Sequence, residues 1–307
     1  MRTIITIGTI LFFSLMPIGA NCGHNKEKKV LTMGRATEHV VKQQSKIQPI
    51  IKYLASRLKD MGIERGEAVL AGDRKYATLR KRVKEGKIDI ILESPFKAAG
   101  LKRDGIAYPI LTLSRRGAGE YNSLIFVRKD SGINGIEDLK GKIIACEDPS
   151  STSSCYLPRA VLRAEGFDME EITPPNPSAS NGKIGYVFAG TELNVSSRVF
   201  YKKVAAGALS NLDWSTPGDV PEAYKAKFKV IWESPKIIEF VVLVGAGLDK
   251  RLVERIKEEM LMMNKTAEGK KALRAYEFDR FIDSPEKIDK LMTYIERLIK
   301  PDEEETD

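Results

Sequence analysis

Between residues 30 and 92 the chain alternates short apolar runs with stretches of helical period, and this alternation restricts the fold more than any other feature. Residues 30–33 and 88–92 read as buried strands, with 68–70 as a short one between them. Ile47, Ile50, Ile51, Leu54 and Leu58 fall on one face of a helix over about 41–59, and 76–84 reads as a second helix ending at Gly86. Strand–helix–strand–helix–strand with crossovers of this length predicts a parallel sheet covered by helices. The pattern then resumes. Residues 121–127 and 142–146 read as strands, and a helix runs on to about Ala164. Helix 195–204, strands 205–209, 229–232 and 241–244, and helices 252–264 and 288–299 follow. Two such units, with the chain returning from the second to finish near the first, predict two α/β lobes, each a mostly parallel sheet flanked by helices. A cleft between lobes is a common ligand site.

The ends of the 307-residue chain read differently from this body. Arg2 precedes an apolar run over 4–20, shorter than the about 20 residues a spanning helix needs. Small residues, Asn21-Cys22 and a basic stretch follow, the pattern of a secretory signal peptide over 1–21. Gly19-Ala20-Asn21-Cys22 is similar to a bacterial lipoprotein cleavage site, with Cys22 as the lipidated residue, although Gly19 and Asn21 depart from its usual pattern. Residues 301–307 read as an acidic disordered tail. Removing Arg2 and the five acids of that tail from the formal +8 leaves +12 over 22–300, a mild bias towards anionic partners. Two histidines, His24 and His39, leave little material for a metal site or a histidine-based triad, and no metal or cofactor is expected. Beyond Cys22 the remaining cysteines are Cys146 and Cys155, read as buried small residues with a disulfide left open.

The segment Asp148-Pro149-Ser150-Ser151-Thr152-Ser153-Ser154 stands between a predicted strand and a predicted helix. A helix start exposes unpaired N–H groups and a positive dipole end, and hydroxyls beside them add donors that converge on one spot. That arrangement suits a tetrahedral oxyanion. One hydroxyl suffices for a helix cap, so five in a row exceed what capping needs.

The stretch 144–162, IACEDPSSTSSCYLPRAVL, resembles the Asp-Pro-Gly-Ser-Thr-Ser-Gly segment of the substrate-binding proteins of phosphate/phosphite/phosphonate ABC importers. Matches in the same order extend over about 30–295. They include Asp73-Arg74-Lys75-Tyr76, Gly86-Lys87-Ile88-Asp89, Pro95, the stretch 124–132 (LIFVRKDSG), 138–142 (DLKGK), 231–235 (IWESP) and 263–269 (MNKTAEG). The resemblance implies a type II periplasmic binding protein fold with a two-strand hinge, lobe one from 30–122 plus 234–300 and lobe two from 123–233. It implies ligand contacts from Ser151, Thr152 and Ser153, and from Tyr76 of the opposite lobe. It also implies membrane permease subunits as partners, a monomer, and a location outside the cytoplasmic membrane. The departures bear on the ligand. Pro95-Phe96-Lys97-Ala98 lacks the tyrosine of the family's Pro-x-Ser-Tyr. Thr191-Glu192 stands where a histidine is usual, and Ala205 stands where an aspartate can meet a ligand amine. A carboxylate at Glu192 repels a dianion unless Lys97 or a cation on the ligand offsets it; the other reading has Glu192 facing solvent.

The leading expectation is capture of a small oxyanion for an ABC importer. The alternative is a lipoprotein sensor that presents its ligand to a receptor or kinase. A remote third reading is a serine acyl-transfer enzyme built on Ser94-Pro95-Phe96-Lys97, a Ser-x-x-Lys pattern without the Lys-Thr-Gly strand it requires. Lys and Arg are spread along helices rather than clustered with aromatics, which argues against a nucleic-acid role.

Overall fold

The computed structural model describes residues 29–298, apart from 38–39, 73–75, 150, 174–177 and 181. The leader, Cys22 and the acidic tail lie outside the described residues. Two six-stranded sheets form the lobes. The first comprises β1 (Val30–Gly34), β2 (Arg65–Ala68), β3 (Ile90–Glu93) and β4 (Ala107–Arg115), completed by two late strands, Val241–Gly245 and Phe278–Ile282. Between the sheets run the short strands β5 (Glu120–Tyr121) and β12 (Ile237–Ile238), which pair antiparallel as Tyr121 with Ile237 and Glu120 with Ile238. The second sheet holds β6 (Ser123–Arg128), β7 (Ile143–Cys146), β8 (Met169–Glu171), β9 (Ile184–Phe188), β10 (Ala206–Ser210) and β11 (Phe228–Glu233). With β13 (Val241–Gly245) and β14 (Phe278–Ile282), the orders are β14-β4-β13-β3-β1-β2 and β11-β6-β10-β7-β9-β8.

The strand orders place a crevice. In the first sheet β1 lies between β2 and β3, and in the second β7 lies between β9 and β10. The chain leaves β1 towards β2 on one side and β3 towards β4 on the other, and likewise leaves β7 towards β8 and β9 back towards β10, so the loops at these carboxyl ends diverge, and ligands of open α/β sheets bind at such points. Both central regions are continuously apolar. β3, β10 and β13 are buried at every position, as expected where helices cover both sheet faces. Gly34 ends β1 where a Cβ would strike the Val69 carbonyl oxygen, so only glycine allows that close approach.

Five helices position the crevice: α1 (Val40–Arg57), α2 (Tyr76–Lys84), α3 (Pro95–Arg103), α4 (Leu157–Ala164) and α5 (Glu192–Phe200). The later helix Pro285–Leu298 braces the lobes. Its Ile288, Leu291 and Met292 share one apolar cluster with Phe96 of α3, Leu157 of α4 and Ile237 of β12.

The structure differs from the sequence reading in identifiable places. β2 covers Arg65–Ala68 rather than 68–70, because an edge strand of the composition RGEA carries no apolar signal. Helix α3 has no amphipathic period because residues 95–101 are all buried. β4 was obscured by Pro109, which usually argues against a sheet-interior strand. Helix α5 begins at Glu192 rather than 195, since Thr191 Oγ1 accepts from Asn194 N–H at 3.2 Å and sets the cap there. The first sheet is also more mixed than the early alternation suggests: β1 pairs in parallel with β2 and β3, whereas β13, β4 and β14 join antiparallel.

Candidate ligand-binding site

The hydroxyl run lies at the carboxyl end of β7. Ser151 begins a widened turn, Thr152–Tyr156, in which its carbonyl accepts from both Cys155 N–H (3.1 Å) and Tyr156 N–H (2.9 Å). The second bond spans five residues, so this is one π-turn leading into α4, a feature frequent at functional sites. The hydroxyls divide by role. Ser151 Oγ caps the turn by accepting from Ser154 N–H at 3.2 Å. Ser154 Oγ accepts from Glu147 N–H at 2.8 Å and donates to the Ala208 carbonyl, tying the turn to β7 and β10. The Ser153 carbonyl takes a 2.6 Å bond from Ser123 Oγ. Thr152 Oγ1 is left buried without a hydrogen-bond partner, and neither the Thr152 nor the Ser153 N–H donates to a described residue. An unmade bond of a buried hydroxyl costs about 1–3 kcal/mol. A ligand oxygen at this turn would recover it.

Tyr121, on the hinge strand β5, was not singled out by the sequence. Its ring is 5% exposed, and the Ser153 and Thr152 hydroxyls are polar neighbours of its phenol. Burial, with Glu239 and Asp213 nearby, pushes this phenol far above its ordinary range, so it stays a neutral donor. Nothing local in the sequence marks it. The hinge ties to the turn through the Ser123 Oγ bond to the Ser153 carbonyl, and to the ends of β10 and β11 through Asn122, whose N–H donates to Asn211 Oδ1 at 2.8 Å, and Ser123, whose N–H donates to Ser234 Oγ at 2.9 Å.

The first lobe meets the turn through α3. The Phe96 ring stacks on Tyr156, with centroids 5.4 Å apart and planes 18° from parallel. Lys97, one residue on, is only 5% exposed and has no ion pair among the described residues. Ser94 caps this helix in position but not in bonding, since its Oγ is buried with no partner. Tyr76 is the first residue of α2; its side chain lies outside the described residues.

Glu192 is half-buried at the first position of α5. Gly190, at φ 86°, makes the left-handed turn that delivers it, and the Gly190 N–H donates to the Glu147 carbonyl at 2.8 Å. Burial pushes the Glu147 carboxyl up to about 8, with Glu192, Asp148 and Asp213 adding to the shift and the Ser151 hydroxyl opposing it. Asp213 is raised too, by burial first, with Glu192 also acting on it. The second lobe therefore surrounds its hydroxyls with acids. Among the described residues no group of His, Cys, Asp or Glu is disposed to hold a metal ion. Cys146 precedes the turn and Cys155 lies within it, both buried and neither in a disulfide; a hydrogen bond with Cys155, and then burial, raise the Cys146 thiol.

Residues 36–287 match the family model described as "ABC transporter, phosphonate, periplasmic substrate-binding protein". The phosphonates-binding periplasmic protein of Escherichia coli is 27% identical over 281 residues, covering 89% of this chain and 77% of that protein. The phosphate-import protein PhnD of Mycolicibacterium smegmatis is 26% identical over 214 residues, covering 68% and 64%. Among solved structures, the XAC2383 protein of Xanthomonas citri bound to ATP superposes with a TM-score of 0.79 at 26% identity, over 88% of this chain and 98% of that one. PhnD1 of Prochlorococcus marinus, solved with methylphosphonate, gives a TM-score of 0.60 at 18% identity, over 88% and 97%, and so shares the fold. The two lobes, the paired hinge strands and the family match over most of the length agree. The chain belongs to the phosphonate family of periplasmic substrate-binding proteins of ABC transporters.

Proposed function

We propose that this protein captures a small phosphorus oxyanion between its lobes and delivers it to the permease of an ABC importer. The observation that carries this reading is the buried Thr152 Oγ1, which has no hydrogen-bond partner among the described residues and sits in a turn whose Thr152 and Ser153 N–H groups donate to none of them either. Ser151, Thr152 and Ser153 hold the oxyanion from lobe two. Tyr121 adds a neutral phenol at the hinge, and Lys97 and Tyr76 complete the site from lobe one. Relatives named for phosphonates and for phosphate import support the ligand class. The lobes, 30–122 with 234–300 and 123–233, close about β5 and β12 as hinge-type binding proteins do. This reading needs no chemistry on the ligand, and among the described residues Ser94 Oγ has no hydrogen-bond partner that would activate it as a nucleophile. The protein acts as a monomer outside the cytoplasmic membrane, exported by residues 1–21 and held by lipid on Cys22. A thermal-shift series with methylphosphonate, phosphite, phosphate, 2-aminoethylphosphonate, sulfate and carboxylates tests the reading. Stabilisation by a phosphorus oxyanion is expected, and stabilisation by carboxylates alone would overturn it.

A further inference from the structure

Among the described residues two hydroxyl oxygens are buried without a hydrogen-bond partner: Thr152 Oγ1 in the second lobe and Ser94 Oγ in the first. Their places in the fold correspond. Ser94 follows β3 directly and opens α3, at the carboxyl end of a strand that borders the crevice, as Ser151 and Thr152 follow β7 and open the turn into α4. Ser94 is 7% exposed and stands at the cap position, yet its Oγ makes no cap bond to the helix. Its own N–H is committed to Glu93 Oε2 at 3.1 Å, and Pro95 has none. The donors left at this helix start are Ser94 Oγ and the Phe96 and Lys97 N–H groups, which donate to no described residue. The neighbouring Glu93 carboxylate is already engaged: Oε1 accepts from Ala36 N–H at 2.8 Å, Oε2 accepts from Ser94 N–H, and Arg35 Nη2 lies 4.0 Å from Oε2. The start of this nine-residue helix lies against the other lobe. Phe96 stacks on Tyr156, the last residue of the hydroxyl turn, and Leu157 after it shares an apolar cluster with Phe96 and Ala98.

We propose that Ser94 is a ligand-binding residue, the first-lobe counterpart of Thr152, and that one tetrahedral oxyanion bridges the two helix starts. This rests on the functional reading above and adds to it a grip from the opposite lobe. One oxygen of the anion accepts from Thr152 Oγ1 and the amides of the second-lobe turn. Another accepts from Ser94 Oγ and the Phe96 and Lys97 N–H groups, at the positive end of the α3 dipole. Lys97 adds its charge from the same helical turn. The ligand must therefore carry at least two unsubstituted oxygens on one centre. Because the grip spans the lobes, the Ser94 bond is made only when the cleft closes, so it favours the closed, loaded form over the open one. No covalent bond forms or breaks.

Calorimetric titration of the Ser94→Ala protein with methylphosphonate, beside thermal melts without ligand, tests this. Affinity is expected to fall about 10- to 100-fold, the range of one hydrogen bond to a charged group. The melting temperature of the ligand-free protein is expected to hold or rise, because the substitution removes a buried hydroxyl that has no partner. Ser94→Cys, which keeps a side chain of similar shape with a weak donor, is expected to lose affinity in the same way. Wild-type affinity in Ser94→Ala overturns the proposal. So does a loss of affinity accompanied by a lower ligand-free melting temperature in both variants, which would make Ser94 a structural cap. If Ser94→Ala fails to fold, Ser94→Cys decides by the same comparison. Failure of the wild-type protein to bind methylphosphonate, phosphite or phosphate overturns the functional reading and this inference with it; wild-type binding that Ser94→Ala retains in full overturns this inference alone.

Discussion

In the proposed site the wall contributed by the second lobe offers hydroxyls and backbone donors in acidic surroundings, whereas that of the first lobe brings Lys97, a nearly buried lysine with no ion pair among the described residues. The donors of the second wall are set by bonds to β7, β10 and the hinge, so their geometry does not wait for a ligand. Lys97 supplies charge on a flexible stem with little geometry of its own. In the proposed reading an anion is held well only when both walls meet around it, so closure reports both the shape and the charge of the ligand.

The sharpest way to break this comparison is to remove the geometric wall. Ser151→Ala with Thr152→Ala is expected to weaken methylphosphonate binding by about 100-fold or more, since each bond to a charged group contributes about 1.5–3 kcal/mol. Near-normal affinity by calorimetry would sink the assigned site. Removing the charged wall should do less. Lys97→Met is expected to lower affinity about 10- to 100-fold while raising the melting temperature of the ligand-free protein, because a nearly buried lysine with no ion pair among the described residues carries a desolvation cost. A variant that melts higher and binds as before would show that Lys97 is only a packing residue.

The acids of the second wall can be tested without ligand. Glu147 has a folded value of about 8 against an ordinary 4.5. A raised carboxyl contributes stability that is complete below pH 4.5 and is lost as pH rises towards 8. Glu147→Gln should therefore match the wild-type protein near pH 4 and exceed it by about 1–2 kcal/mol at pH 8, after solvent screening of a half-buried group. Denaturant melts at the two pH values check this, and a constant offset between the proteins would remove the claim. The smallest effect is expected of Glu192→Gln. Relieving repulsion from a half-buried carboxylate should strengthen oxyanion binding about three- to tenfold at low salt, and less at high salt. Weaker binding by this variant would mean that Glu192 meets a positive group on the ligand.

Much of this was legible beforehand because it is written locally. The β-α-β-α-β alternation over 30–92 and the hydroxyl run after residue 146 both rest on side chains close in sequence. The elements that escaped notice lacked such a local signal: α3 is buried all round, β4 carries Pro109, and β2 is a charged edge. Glu192 could be named but not placed, because its position depends on the Gly190 turn and the Thr191 cap.

The sequence by itself determined the two-lobed α/β plan and the placement of a hydroxyl-rich turn at a strand's carboxyl end, because periodicity and composition act over a few residues. Only the tertiary structure decided how the hydroxyls of Ser151, Thr152, Ser153 and Ser154 divide between support and a Thr152 left unpartnered among the described residues, and that Tyr121 lies against them at the hinge. Only it brought Glu147, Glu192 and Asp213 into one electrostatic group. Burial and charge act through space, and neither is set until segments remote in the chain have packed.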